Sequence, residues 1–461
     1  MNRVFNTVRT LFAILLAAST LTAGCGSNSS VTTSGSGNAV SINPAGLIAI
    51  INTSIQQTAT RALDGWEWGS FSSSFSTLLS KISYTVDMQK VTYQSTGADG
   101  KLHAMTGLLI LPKSILGGKP AVPILMYQHG TEVNRAFSPS QYLVHQDRPK
   151  DYPEVMVAAA IASTGYAVAL IDYEGMGDNI DSQPHVIGAT LAQQVIDLLR
   201  ASRDIIGGTA GNSTSPCTWN NQLFLMGYSE GGYVTMAATR ELQLNHAAEF
   251  TVTASAPLSG PHDLSGVMRG ILLSDTSFKA PYFAPLFITS FNYAYGAQTT
   301  NFSPNFTLLP PYNTTIPPLF AGNTTSDKIS EAMGMNFTTP TLIVMKSLLT
   351  QQFITELTSV TSPVFAFMQQ NDSYRGWAPT VPMRMIHHKN DELVPYGNSQ
   401  AAFNAFSSAG AKNHIPGGPG VELVEETAII NISTNPVKTV HFGAAFPELS
   451  DGWKWIDSFK K

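Results

Sequence analysis

From about residue 87 the chain alternates short unbroken apolar runs with longer segments of helical spacing. Val91-Thr-Tyr93 and His103–Leu111 flank Ala98-Asp99-Gly100, which predicts two strands joined by a turn. Pro123–Gln128 is a continuous apolar run, and Tyr166–Ile171, Gln222–Met226 and Val252–Ala256 read as further largely apolar strands, as expected of strands buried on both faces. Val155–Ser163 is an Ala-rich helix by pattern, and Ile187–Ile206 has helical spacing with Gly207-Gly208 as its stop. Tyr233–Leu242 reads as a further Ala-rich helix. Met383–Ile386 and Val437–Val440 predict two more strands, and a terminal helix is expected around Trp453–Phe459. Apolar strands alternating with helices predict an α/β fold with a mostly parallel central sheet and helices on both faces.

The pattern differs at two places. At the N-terminus, Arg3 and Arg9 precede an apolar run, Leu11–Leu21, too short for the roughly 20 residues a bilayer span needs. Small residues follow, so residues 1–24 read as a signal peptide. Leu21-Thr-Ala-Gly-Cys25 resembles a bacterial lipoprotein signal, in which the cysteine is lipidated and becomes the new N-terminus. Residues 25–43 form a Ser/Gly-rich tether without periodicity, and 44–86 an N-terminal helical segment. The second break lies at residues 277–320, which hold eleven aromatics and a single charge, Lys279. Its prolines argue against a long regular element there. We read 263–375 as an inserted lid or cap, dividing the core into 87–262 and 376–461.

Composition narrows the classes. Hydrophobic residues make up 43% of the 461 and charged residues only 12%, against roughly 25% in ordinary soluble domains. The apolar content excludes a disordered chain. With 26 basic against 31 acidic residues there is no excess of positive charge for nucleic acid, so no nucleic-acid partner is expected. The only cysteines are Cys25 and Cys217; lipidation of the first leaves the second a lone small core residue without a disulfide. Together these features place the protein outside the cytoplasm, attached to a bacterial membrane through Cys25 or secreted. No His/Cys cluster has metal-ligand spacing, so no metal or other cofactor is expected.

The chemical signal is Gly227-Tyr-Ser229-Glu-Gly231, directly after an apolar strand and before an Ala-rich helix. That is the strand–turn–helix setting of a nucleophile elbow, whose glycines let strand and helix approach closely. A serine hydroxyl needs a base, and the base needs a partner that fixes its tautomer. Asp391, just beyond the Met383–Ile386 strand, is the candidate acid, with Glu392 and Asp263 as alternatives. His441 is the candidate base; His414 reads as a loop residue, and His387 and His388 as packing or orienting groups. An oxyanion needs two backbone N–H donors. The residue after the serine, Glu230, supplies one, and Thr131, after Gln128-His-Gly130, the other. Asp172–Asp178 carries glycines after a strand, but Ile180 breaks a dinucleotide fingerprint, so it reads as a structural turn.

Tyr127–Thr131, Asp172–Gly177, Gly227–Gly232, Gly260-Pro-His-Asp-Leu264 and Asp391–Pro395 together resemble the secretory lipase group of the α/β-hydrolase fold over residues 87–461. The resemblance implies Ser229 as nucleophile, Asp391 as acid, His441 as base, and Thr131 and Glu230 as oxyanion donors. It implies action on a carboxylic ester or acylglycerol through an acyl-enzyme. Two other readings stand beside it. One is a peptidase or amidase of the same fold; the other is a non-catalytic surface lipoprotein that binds apolar ligands.

Overall fold

The computed structural model describes residues 39–55, 68–207, 214–339, 341–411, 420–428 and 438–461. Nine strands form one sheet: β1 (Val40–Ile42), β2 (Thr85–Thr96), β3 (Leu102–Lys113), β4 (Ala121–Gln128), β5 (Ala167–Ile171), β6 (Thr218–Tyr228), β7 (Val252–Leu258), β8 (Met383–His388) and β9 (Val421–Glu426). Their order is β1-β2-β3-β5-β4-β6-β7-β8-β9. Strands β1, β2, β3 and β5 pair antiparallel, and every pairing from β5 through β9 is parallel. This is the α/β-hydrolase architecture.

The continuous apolar runs have a direct cause. In β4, Ile124 and Met126 enter the core on one face while Leu125 and Tyr127 enter the core on the other. Helices α1 (Pro44–Ile55), α2 (Pro153–Ala162) and α7 (Val440–Asp457) cover one face; α3 (Gly188–Gly207) and α4 (Glu230–Asn245) cover the other. Helix α5 (Phe283–Tyr295) lies in the long connection between β7 and β8, and α6 (Gly397–Ser408) follows β8.

Several expectations need correction. Val40–Ile42, placed in the tether, is an edge strand antiparallel to β2; three residues are too few to show a period. Val440, read as strand, opens helix α7 instead. Its β-branched neighbours suggested a strand, but Thr439 is an N-cap whose side chain accepts from Phe442 N–H. Val437 lies outside the described residues, as do Cys25, His414 and the signal segment. Helix α7 is longer than the expected terminal helix, because Pro447 is tolerated inside it. The thirteen-residue helix α5 forms despite Pro285, which sits in its first turn, where a backbone N–H has no intrahelical partner. Strand β9 had no expectation attached to it. Among the described residues, no strand of the sheet falls between β7 and β8, so this excursion from the sheet runs over residues 259–382.

Several aromatics of the insertion pack on one another within the core that it shares with one face of the sheet. Phe287 and Phe291 have ring centroids 4.2 Å apart, Phe291 and Phe302 5.1 Å, and Tyr295 and Phe367 4.4 Å. Lys279 binds Glu392 at 3.0 Å and the carbonyl of Lys438 at 2.7 Å. The one charge of the aromatic stretch therefore ties the insertion to the entry of α7.

Candidate active site

Parallel strands end at a common rim, where the loops after β4, β6 and β8 and the first turn of α7 bring the candidate residues. At the end of β6, Ser229 takes φ 60° and ψ −123°, a left-handed backbone that side chains rarely adopt. The strain is held from both sides. Ser229 N–H donates to Leu258 O at 2.9 Å, and Tyr233 N–H bonds back to Ser229 O at 3.1 Å. The flanking glycines are sterically required. A Cβ on Gly231 would collide with the Gln128 carbonyl, and one on Gly232 with the Leu258 carbonyl.

Ser229 Oγ lies 2.8 Å from His441 Nε2, and His441 Nδ1 lies 2.5 Å from Asp391 Oδ2. A carboxylate only accepts, so Nδ1 carries the proton and the Nε2 lone pair faces the serine hydroxyl. All three side chains are buried. Asp391 Oδ1 accepts from Leu393 N–H at 3.0 Å and Val394 N–H at 2.9 Å. Burial alone would raise the Asp391 pKa; the facing His441 and hydrogen bonds from His387 and His441 outweigh it and hold the carboxyl well below the usual range. His387 Nε2, 3.4 Å from Asp391 Oδ2, donates to Val394 O at 2.7 Å. Tyr228 OH donates to His441 O at 2.5 Å, pinning the first turn of α7.

The alternative acids have other partners. Glu392 accepts from Val440 N–H at 2.9 Å and so caps α7, the helix that carries His441. Asp263 accepts from Val267 N–H at 3.0 Å and Tyr374 OH at 3.1 Å. Asp172 is buried in its turn, bonded by Thr106 Oγ1 at 2.6 Å and Ser140 N–H at 2.9 Å, as a structural anchor would be. Cys217 is fully buried, and burial pushes its thiol up to about 11, which suits a core residue.

Thr131 and Glu230 both line cavities that meet at Ser229. The Gly130 N–H is already engaged by both oxygens of Glu154 at 3.2 Å, which leaves Thr131 as the donor candidate of that loop. Glu154 also accepts from Tyr127 OH at 3.0 Å. Its burial raises its pKa to about 7, against the opposing effects of His129, the Gly130 N–H and Tyr127 OH. Sequence reasoning missed Tyr228, Glu154, His185 and Glu448 around this site. Glu448 accepts from Ser259 Oγ at 2.8 Å and His388 N–H at 2.8 Å, and its burial pushes its carboxyl well above the usual range. None carries a short-range signal; only Tyr228 lies in the serine motif.

Two clefts open from Ser229. One is predominantly apolar, about 610 Å³ of atom-free space partly open to solvent, walled by Leu264, Met268, Ile271, Phe278, Phe287 and Met345. The other, about 660 Å³, is walled by Glu132, Asp151, Glu154, Tyr152 and Tyr282. Phe283 borders both. Elsewhere Asp99, His103 and Glu174 come close enough to suggest cation ligands. The His103 nitrogens already face Asp99 at 2.8 Å and Asp181 at 2.9 Å, which makes the group an ion-pair cluster.

Known proteins add the following. The Secretory lipase family model matches residues 151–280, a stretch that includes the serine motif and the Gly260–Leu264 loop, so the resemblance read from the motifs is borne out. No curated protein matches the chain in sequence. Among solved structures the chain is similar to the rice cell wall degrading esterase LipA from Xanthomonas oryzae, at TM-score 0.65 and 24% identity, covering 89% of this chain and 92% of that one. A Legionella pneumophila chain matches at TM-score 0.69 and 21% identity, covering 91% and 96%. Candida antarctica lipase A in its closed state matches at TM-score 0.54 and 16% identity, covering 74% and 73%.

Proposed function

We propose that the chain is a serine hydrolase of carboxylic esters, acting through an acyl-enzyme on an ester with an apolar acyl group. The observation that carries this reading is the hydrogen-bonded chain Ser229–His441–Asp391 at the strand ends. Ser229 Oγ attacks the ester carbonyl carbon as its proton passes to His441 Nε2. The Thr131 and Glu230 N–H groups donate to the oxyanion. His441 returns the proton to the leaving alcohol oxygen, and Ser229 remains acylated. Water, deprotonated by His441, then attacks the acyl carbon and releases the acid. Asp391 holds the Nδ1–H tautomer and balances the imidazolium. The apolar cleft takes the acyl chain, and the cleft bearing Glu132, Asp151 and Glu154 faces the alcohol. The protein is exported, and lipidated Cys25 holds it at the membrane.

Turnover of p-nitrophenyl esters of increasing chain length by wild type and Ser229→Ala tests the reading. Loss of the serine should lower kcat at least ~10³-fold. Undiminished turnover in Ser229→Ala would refute it.

A further inference from the structure

We propose that Glu448 is a positioning residue that holds the segments bearing Ser229, Asp391 and His441 in one arrangement, an inference that rests on the serine-hydrolase reading above. The three residues come from three separate elements, so their distances depend on how those elements are joined. Glu448 lies on α7, seven residues after His441 and so two turns along the same helix face. Its side chain is buried and reaches the ends of two strands. Ser259 Oγ, just past β7, donates to its two oxygens at 2.8 and 3.0 Å, and His388 N–H, at the end of β8, donates to Oε1 at 2.8 Å. A carboxyl group can accept both bonds whether or not it carries a proton.

Each partner stands beside a member of the triad. Ser259 follows Leu258, whose carbonyl accepts the Ser229 N–H at 2.9 Å. The His388 carbonyl accepts the Asp391 N–H at 3.1 Å. One side chain of the helix that carries His441 thus grips the two strand ends that fix the nucleophile and the acid. The helix needs such a grip. Pro447 has no N–H, so α7 forgoes one backbone bond between the turn of His441 and the turn of Glu448. Tyr228 OH, which donates to His441 O at 2.5 Å, ties the near side of that gap, and Glu448 ties the far side. Ser259 is itself held at φ 44°, a backbone that side chains rarely adopt, with its N–H bonded to Ile386 O at 3.0 Å. Its hydroxyl meets Glu448 from a fixed backbone.

The test measures kcat and KM for one p-nitrophenyl ester with wild type, Glu448→Leu, Glu448→Gln and Ser259→Gly, on samples whose folding is checked by circular dichroism. Leucine fills the space but accepts nothing, so kcat should fall roughly 10- to 100-fold with KM within about twofold, as when reacting groups shift by about 1 Å. Glutamine keeps an oxygen in the place of Oε1, which both donors reach, so Glu448→Gln should retain kcat within about threefold. A residue that served only stability would lower the unfolding midpoint of Glu448→Leu and leave the kcat of the folded enzyme intact. That result overturns the proposal, as does a Glu448→Gln variant no better than Glu448→Leu. If Glu448→Leu does not fold, Ser259→Gly decides. Glycine suits φ 44° and deletes only the arm to β7, so kcat should fall by about threefold or more, and full kcat overturns the proposal. An inactive wild type refutes instead the hydrolase reading on which the proposal rests.

Discussion

At the scale of single residues, the account makes Asp391 indispensable without letting it react. Asp391→Asn keeps the shape but removes the group that fixes the His441 tautomer. Its kcat should fall on the order of 10³- to 10⁴-fold while KM changes little, as steady-state kinetics will show. Equal turnover would mean that Glu392 or Asp263 serves His441 instead. The structure argues against that, since Glu392 caps α7 and Asp263 caps its own turn. Ser229 and Asp391 were legible because each follows a recognisable strand; His441 was named from a strand expected before it, although the structure places it in the first turn of α7. Their supports were not. Tyr228 reaches His441 across 213 residues and Tyr233 reaches Val186 across 47, and no local pattern encodes such pairings. Glu154 falls in a helix that reads only as an Ala-rich segment.

At the scale of elements, the elbow depends on backbone contact between β6, α4 and the ends of β4 and β7. Gly232→Ala places a methyl group against the Leu258 carbonyl. It should cost at least ~2 kcal/mol of stability and displace Ser229, measured by denaturant unfolding and by ester turnover on the same sample. A variant as stable and active as wild type would mean that α4 can move away from β7 freely. The buried parallel strands were readable because both of their faces are apolar. Helices α5 and α7 were harder, because Pro285 and Pro447 look like breakers when sequence is all one has. One sits in a first turn that needs no N–H, and the other is tolerated inside a helix packed on the sheet. Strand β1 is three residues long and exists only because β2 offers it an edge.

At the scale of the whole molecule, buried acids set the response to pH. Glu154 has a pKa of about 7 in the folded protein against an ordinary 4.5, so between those values the folded chain keeps a proton that the unfolded chain releases. Its contribution to stability is full below about pH 4.5 and is lost as pH rises through 7, at about 1.4 kcal/mol per unit. Glu154→Gln can still accept the Gly130 N–H but does not ionise. Its melting temperature relative to wild type should therefore be higher at pH 8 than at pH 5. The same difference at both pH values would contradict the assignment. The low charge of the chain is concentrated in the aromatic stretch, where Phe287, Phe291, Tyr295 and Phe302 pack on one another while Phe278, Phe283 and Phe287 wall the clefts at Ser229. Export and anchoring belong to this scale too. Labelled palmitate should enter the wild-type protein and not Cys25→Ser; equal labelling would place the lipid elsewhere or make it incidental.

The central claim is that Ser229 is an activated nucleophile. Its most direct test is reaction of the folded protein with a fluorophosphonate, followed by intact-mass measurement and peptide mapping. The account predicts one adduct per chain, located on Ser229 and abolished in both Ser229→Ala and His441→Ala. An unlabelled wild-type protein, or an adduct on another residue that persists in Ser229→Ala, would contradict it.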